Sequence, residues 1–254
     1  MRSDRLQTLL SYIDQHEYAS FSELCKEFKV SSATMRRDLK TLAQKGLIKR
    51  MHGAVKSKID DQKYEPPLSE RINMNIDEKR RIAERAMAEI KDGDSIILDS
   101  STTVCELAKL LADSNLNITV MTNDIEIAYI LAPHPIIELI AVGGYIRKGY
   151  YTSMGFFAEN LWKELHADKL FLGVDAVDLK YGMMNYRIEE MSCKRLMIER
   201  AKECVVLCDH TKFTSSAVLQ ICPFDKVDKV ITGTELDLSI MNDMQRIGVE
   251  IVRV

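Results

Sequence analysis

Apolar residues recur at helical spacing three times within the first fifty positions. Leu6, Leu9, Leu10 and Ile13 share one face and predict a helix over residues 3–15. Ser20-Phe21-Ser22-Glu23 has the form of a capping box, serine and glutamate each satisfying an orphan amide, and it opens a short helix through Phe21, Leu24, Cys25 and Phe28. A third helix spans Ser31 to Gly46, with Met35, Leu39 and Leu42 on its packing side. Ser31 or Ser32 can cap its start, and Gly46 can take the left-handed conformation that ends it. The stretch from Leu47 to Lys56 then reads as two short β-prone arms around a His52-Gly53 turn.

Beyond residue 57 the pattern changes. Residues 57–63 are polar without a period, and Pro66-Pro67 excludes regular helix there, which marks residues 57–75 as a linker. From Asp77 a helix runs through Ile82, Ala83, Ala86, Met87 and Ile90 to a stop at Gly93. Strands are then expected at 95–99, 117–121, 136–142, 168–174, 204–208, 227–231 and 249–253, interleaved with helices at 103–112, 124–132, 155–165, 188–202 and 237–247. Apolar strands alternating with helices predict an α/β fold, a mostly parallel sheet covered on both faces. The chain thus divides into a small helical module with a β wing at 1–56, the linker at 57–75, and a larger doubly wound α/β domain at 76–254.

Charge sharpens this division. The net charge of −3 over 254 residues conceals two ends of opposite sign. Residues 1–58 hold 12 Lys+Arg against 6 Asp+Glu, or +6, and the remainder holds 23 against 32, or −9. A basic module on an acidic body suits a nucleic-acid partner for the module alone. No apolar run approaches the roughly 18 residues of a membrane span. No apolar signal region follows the N-terminus, so a soluble, cytoplasmic protein is expected. The 6 cysteines then read as reduced core thiols. Cys204, Cys208, His210 and Cys222 fit structural zinc spacing poorly, so no metal or cofactor is expected.

The outer face of the third helix carries the candidate DNA contacts. Ser31, Ser32, Ala33, Thr34, Arg36, Arg37, Lys40, Thr41 and Gln44 lie on or beside it, residue types that bond phosphates and base edges. Two helices joined by the short Lys29-Val30-Ser31 turn make a helix-turn-helix, and the arms after it make a wing that places Lys49, Arg50 and His52 beside the duplex. The same fold used only for protein contacts is the competing reading.

In a parallel sheet, ligands bind at the carboxyl ends of the strands. Asp99-Ser100-Ser101-Thr102-Thr103 follows a strand and opens a helix, so it reads equally as an anion seat or as an ordinary capped helix start. Thr122-Asn123, Gly143-Gly144 with Arg147, and Asp209-His210-Thr211-Lys212 follow other strands. The glycine pair would let a ligand approach the backbone, Arg147 and Lys212 would attract a phosphate, and Asp99, Asn123, Asp175 and Asp209 would accept from sugar hydroxyls.

Arg5, Leu9 and Ile13, followed by Ser31, Thr34, Met35, Arg36, Arg37, Asp38 and Leu39, match the helix-turn-helix signature of the DeoR-type (deoxyribose-operon repressor) bacterial regulators, which this chain resembles. Arg50-Met51-His52-Gly53 matches the family's wing, with Ala54 where a second glycine is common. The resemblance continues through Glu65-Pro66 with Arg71, Glu78-Lys79, Leu98-Asp99, Thr102-Thr103, Phe171-Leu172-Gly173, Glu190 with Lys194-Arg195, and Asp209 with Lys212-Phe213. It departs at Ser101 and Ala176, where glycines are usual.

The resemblance implies a repressor of a carbohydrate operon. Its module would bind double-stranded operator DNA. Its body would resemble ribose-5-phosphate isomerase and bind a phosphorylated sugar effector, adding Arg71, Lys79, Glu190 and Lys194 to the effector site. A homo-dimer or homo-tetramer is expected, because two modules on neighbouring half-sites raise affinity and specificity. The alternative is an isomerase-like enzyme with an appended DNA-binding module, since Gly173-Val174-Asp175 resembles the isomerase's catalytic segment. The enzyme's lysine-glycine-rich segment and the acidic residue after its aspartate are missing here, so catalysis is not expected.

Overall fold

The computed structural model describes residues 2–16, 18–44, 48–51, 54–57 and 65–254, in two compact units that divide between Tyr64 and Glu65. The first unit runs α1 (Arg2–His16), β1 (Tyr18–Ser20), α2 (Phe21–Glu27), α3 (Ser32–Gln44), β2 (Ile48–Met51) and β3 (Ala54–Ser57). The capping box forms as expected: Ser20 Oγ accepts from the Glu23 amide at 3.2 Å, and Glu23 Oε2 accepts from the Ser20 amide at 2.9 Å. Lys29 takes a left-handed φ of 48° at the turn into α3. Ser31, rather than Ser32, is the cap, its Oγ accepting from the Thr34 amide at 3.3 Å. Leu9, Ile13, Leu24, Met35, Leu39, Leu42, Ile48 and Val55 close the core beneath.

β2 and β3 pair antiparallel, Ile48 opposite Ser57 and Met51 opposite Ala54, and β1 adds a third strand against β3. A three-residue strand is too short to show a period, which is why β1 was not legible in sequence. The expected cap at Gly46 and the wing tip at His52-Gly53 lie outside the described residues.

The second unit begins earlier than expected. Residues 65–75 are not linker: the buried Glu65 holds three arginines, which ties this segment into the body. It contains α4 (Leu68–Arg71), started by Pro67, and leads into α5 (Ile76–Met87). There follow β4 (Ser95–Leu98), α6 (Thr102–Ala112), β5 (Thr119–Thr122), α7 (Ile125–Leu131), β6 (Glu138–Ala141), β7 (Tyr145–Ile146), β8 (Ser153–Met154), α8 (Phe156–Glu164) and β9 (Ala167–Leu172). β10 (Ala176–Asp178), β11 (Gly182–Asn185), α9 (Met191–Arg200), β12 (Ala201–Leu207), β13 (Leu219–Cys222), β14 (Lys229–Thr232), α10 (Leu238–Ile247) and β15 (Glu250–Arg253) complete it.

Seven parallel strands form the sheet in the order β15-β14-β12-β9-β4-β5-β6. Side chains alternate between two cores, as a strand's period of two requires. Ile96 and Leu98 pack under α5, α6 and α7, whereas Ile97 joins Trp162, Met197 and Met244 under α8, α9 and α10. The sheet is therefore doubly wound. Chain order runs outward from β4 in one direction and outward from β9 in the other, so these two strands bound a topological switch point.

Some expectations shift. The helix expected at 188–202 starts as a 3-10 turn at Ile188–Glu190 and ends at Arg200, because β12 begins at Ala201. A small antiparallel sheet, β10-β11-β13, fills regions without a clear apolar period. No helix among the described residues is long and apolar enough to cross a membrane.

Candidate functional site

In the first unit, α3 presents a polar face. Ser31, Ser32, Ala33, Arg36, Arg37 and Lys40 are exposed, Thr34 and Thr41 are half-buried, and Lys49 is exposed on β2. Arg36 lies 5.4 Å from the centroid of the Phe21 ring, which inclines it toward α2. Thr41 Oγ1 donates to the Arg37 carbonyl at 2.9 Å. Asp38, on the buried side, accepts from Arg5 Nε at 2.8 Å and so fastens α3 to α1. The side chains of Gln44, Arg50 and His52 lie outside the described residues.

In the second unit, a cleft open to solvent lies at the switch point. The carboxyl end of β4 contributes Ser100, Ser101 and Thr102, and that of β9 contributes Gly173, Val174 and Asp175. Arg71, Arg147, Glu190 and Lys194 join them. Eight of the expected effector residues thus meet in one place. Asp99 sits directly behind: its Oδ2 accepts from Lys194 Nζ at 2.5 Å and from the Gly173 amide at 3.0 Å. Ser101 Oγ caps α6 by accepting from the Val104 amide at 3.1 Å.

The cations of this cleft are anchored. Glu65 accepts from Arg71 Nη1 at 2.7 Å, Arg147 Nη2 at 2.5 Å and Arg187 Nε at 2.9 Å. Burial pushes its carboxyl up, but Arg147, Arg71 and Arg187 together hold it below its usual value. Arg147 also donates to Glu190 Oε1 at 2.6 Å and lies 3.5 Å from the Tyr150 ring centroid. Burial raises the Glu190 carboxyl, with Lys194 and Arg147 opposing. Burial disfavours the Lys194 ammonium, yet Asp99 and Glu190 keep its pKa above the ordinary value.

Other expected residues fall elsewhere. Thr103 is buried within the first turn of α6. Thr122 Oγ1 donates to the Leu98 carbonyl at 2.7 Å, and Asn123 Nδ2 donates to the Ser153 carbonyl at 2.8 Å, so both tie strand ends together. Gly143 and Gly144 do not line the cleft. A Cβ on Gly144 would lie 2.5 Å from the Met154 carbonyl oxygen, so this glycine allows β8 to pack closely.

Lys79, Asp209 and Lys212 belong to a neighbouring cluster. Lys79 Nζ donates to the Arg71 carbonyl at 2.5 Å, and Asp209 accepts from Asn75 Nδ2 at 3.0 Å. His210 Nδ1 pairs with Glu78 Oε2 at 2.7 Å. Glu78, Asp209 and His210 are the one group among the described residues close enough to share an ion. The cysteines take no part, Cys204, Cys208 and Cys222 being buried in one hydrophobic core.

Sequence reasoning missed Glu65, Glu106, Asp124, Glu126 and Thr152. Asp124 was findable, since it follows the Thr122-Asn123 strand end and caps α7 by accepting from the Glu126 and Ile127 amides at 2.8 and 3.0 Å. Ser100 Oγ donates to Asp124 Oδ2 at 2.5 Å and lies 2.7 Å from Thr152 Oγ1. Nothing local in the sequence marks Glu65 as the hub of three arginines that arrive from residues 71, 147 and 187.

Comparison with known proteins matches both units. The model of the DeoR-like helix-turn-helix domain covers residues 5–60, and that of the DeoR C terminal sensor domain covers 74–234. The chain is similar to the HTH-type transcriptional regulator GolR of Listeria innocua, 30% identical over 98% of this chain and 97% of the relative. It is likewise similar to a putative aga operon transcriptional repressor of Escherichia coli O157:H7, 30% identical over 99% of this chain and 94% of the relative. A ribose 5-phosphate isomerase from Methanocaldococcus jannaschii overlaps 55% of each chain at a TM-score of 0.41 and 20% identity, a partial likeness with no bearing on ligand or activity.

Proposed function

This chain belongs to the DeoR family of helix-turn-helix transcriptional regulators, and from that premise we propose that it represses a carbohydrate operon under the control of a phosphorylated sugar bound in the switch-point cleft. The observation that carries the ligand half is the meeting of Ser100, Ser101 and Thr102, at the start of α6, with Arg71, Arg147 and Lys194. Amides and hydroxyls at a helix N-terminus suit an anion, and the neighbouring cations reinforce them. On the DNA half, α3 enters the major groove with Ser31, Ser32, Ala33, Thr34, Arg36, Arg37, Lys40, Thr41 and Gln44, and Lys49, Arg50 and His52 of the wing contact the backbone or minor groove. Two copies, as a dimer or within a tetramer, would engage paired half-sites.

The cleft cations are all engaged with carboxylates, and this suggests how ligand could change the protein. A phosphate competing for Arg147 or Lys194 would loosen Glu65, Glu190 or Asp99 from its partner. An effector acts only by preferring one arrangement over another, and this ion-pair network supplies two. The reading is tested by operator binding of the full chain, followed by fluorescence anisotropy while phosphorylated sugars and their unphosphorylated counterparts are added. The phosphorylated forms should shift operator affinity and the unphosphorylated forms should not. Indifference of both operator affinity and melting temperature to every phosphorylated sugar would overturn it.

A further inference from the structure

One side of the cleft carries more negative charge than the protein neutralises. Glu106 of α6, with Asp124 and Glu126 at the start of α7, lines this side. Glu106 is served by Lys109 Nζ at 2.5 Å and, more distantly, by Arg80 Nε at 3.6 Å. Asp124 is committed to Ser100 and to the amides that it caps. The Glu126 amide is held by Asp124, but its carboxylate has no hydrogen-bond or ion-pair partner among the described residues, Lys109 acting on it only at longer range. Elsewhere in the cleft, Arg71, Arg147 and Lys194 are bonded to Glu65, Glu190 and Asp99, and Lys109 to Glu106, so each of these cations already serves another carboxylate.

A bare sugar phosphate would add negative charge to this site and leave the Glu126 carboxylate without a bonded cation. On the reading of the cleft as a sugar-phosphate site, we propose that Glu126 selects a phosphorylated amino sugar, its phosphate seated at the first turn of α6 and its ammonium against the Glu126 carboxylate. Glu106, Asp124 and Glu126 line the same cleft as Ser101 and Thr102, which sets the acidic side beside the ring of a hexose whose terminal phosphate sits at that first turn. Burial and the nearby Asp124 and Glu106 raise the Glu126 carboxyl above its ordinary value, Lys109 only partly opposing them, a penalty that a ligand cation relieves. A metal ion fits less well, because Glu106, Asp124 and Glu126 do not converge as the Glu78, Asp209 and His210 group does. An ammonium needs no such convergence, since its donors are spread and directional.

Calorimetric titration of the full chain with matched pairs tests this: glucosamine 6-phosphate against glucose 6-phosphate, and galactosamine 6-phosphate against galactose 6-phosphate. N-acetylglucosamine 6-phosphate, which keeps the nitrogen but not its charge, is the third arm. At least one amino form should bind tenfold or more tighter than its hydroxyl and acetylated counterparts, and Glu126→Gln should reduce that ratio below threefold. Equal or tighter binding of the hydroxyl forms would overturn the proposal while leaving the sugar-phosphate reading intact, as would an unchanged ratio in Glu126→Gln. Failure of every phosphorylated sugar to bind would overturn both.

Discussion

Ser101 and Gly173 are fitted to one another across the switch point: a Cβ built on Gly173 would lie 2.2 Å from the Ser101 Cβ and 2.5 Å from its Oγ. The bulk of Ser101 beyond β4's end is accommodated by the absence of a side chain on Gly173 beyond β9's end. Gly173 also donates its amide to Asp99 and offers its carbonyl to Lys194, so little backbone movement is available.

Gly173→Ala should therefore destabilise the second unit by roughly 1–3 kcal/mol, the usual cost of overpacking. Combined with Ser101→Gly, the same alanine should cost markedly less. Urea denaturation of the two single variants and the double variant closes the cycle. Additive losses would show that the two side chains do not compete for one space.

Glu65 holds three arginines with a carboxylate that is almost fully buried. Glu65→Gln leaves those cations short of one charge, and the loss should be roughly 3 kcal/mol, the low end for a broken buried pair because Arg187 is half exposed. The folded pKa of Glu65 lies below the unfolded value of about 4.3. Its contribution is therefore whole above that pH and is lost as pH falls through the folded value. The gap between wild type and Glu65→Gln should be constant from pH 5 to 7 and should narrow below about pH 4. Stability curves at stepped pH check this, and a gap that persists at pH 3 would remove the charge from the explanation.

Lys79 has its pKa driven down to about 8 by burial, with Lys212 and Arg71 adding to the fall and Asp209 only partly opposing it. An unfolded lysine titrates near 10.4. Between those values the unfolded chain binds more protons than the folded one, so the Lys79 contribution to stability rises as pH climbs from about 8 toward 10. Relative to Lys79→Gln, the wild type should gain stability across that interval. A difference that stays flat with pH would place Lys79 in its ordinary range.

The doubly wound sheet was legible in sequence because runs such as Ile96-Ile97-Leu98 are apolar at every position, as strands buried on both faces must be. The first turn of α6 was legible for a related reason: hydroxyl residues directly after a strand end have few uses besides capping and anion binding. Glu65 was not, since its partners come from three distant segments and a local pattern cannot carry them. For Gly144 and Thr122 the sequence shows only a strand-end position, which ligand-binding and structural residues share; their contacts with Met154 and Leu98, a structural use, come from distant segments that no local pattern carries.

On α3, Arg37 and Lys40 project from the exposed face, while Arg36 is inclined toward the Phe21 ring. Each phosphate contact displaces condensed counterions from DNA and contributes about −0.9 to the slope of log K against log salt. If Arg37 or Lys40 contacts a phosphate, its alanine variant should weaken binding to operator and random DNA alike and flatten that slope by about one. If one of them reads a base edge, its variant should cost roughly 1–3 kcal/mol on operator DNA and far less on random DNA. Arg36→Ala should also release the stacking on Phe21, and its effect should be smaller than that of Arg37→Ala, because part of its interaction is already made within the protein. Anisotropy titrations between 50 and 200 mM salt distinguish these outcomes. Three alanine variants that leave both affinity and slope unchanged would show that α3 does not lie against DNA.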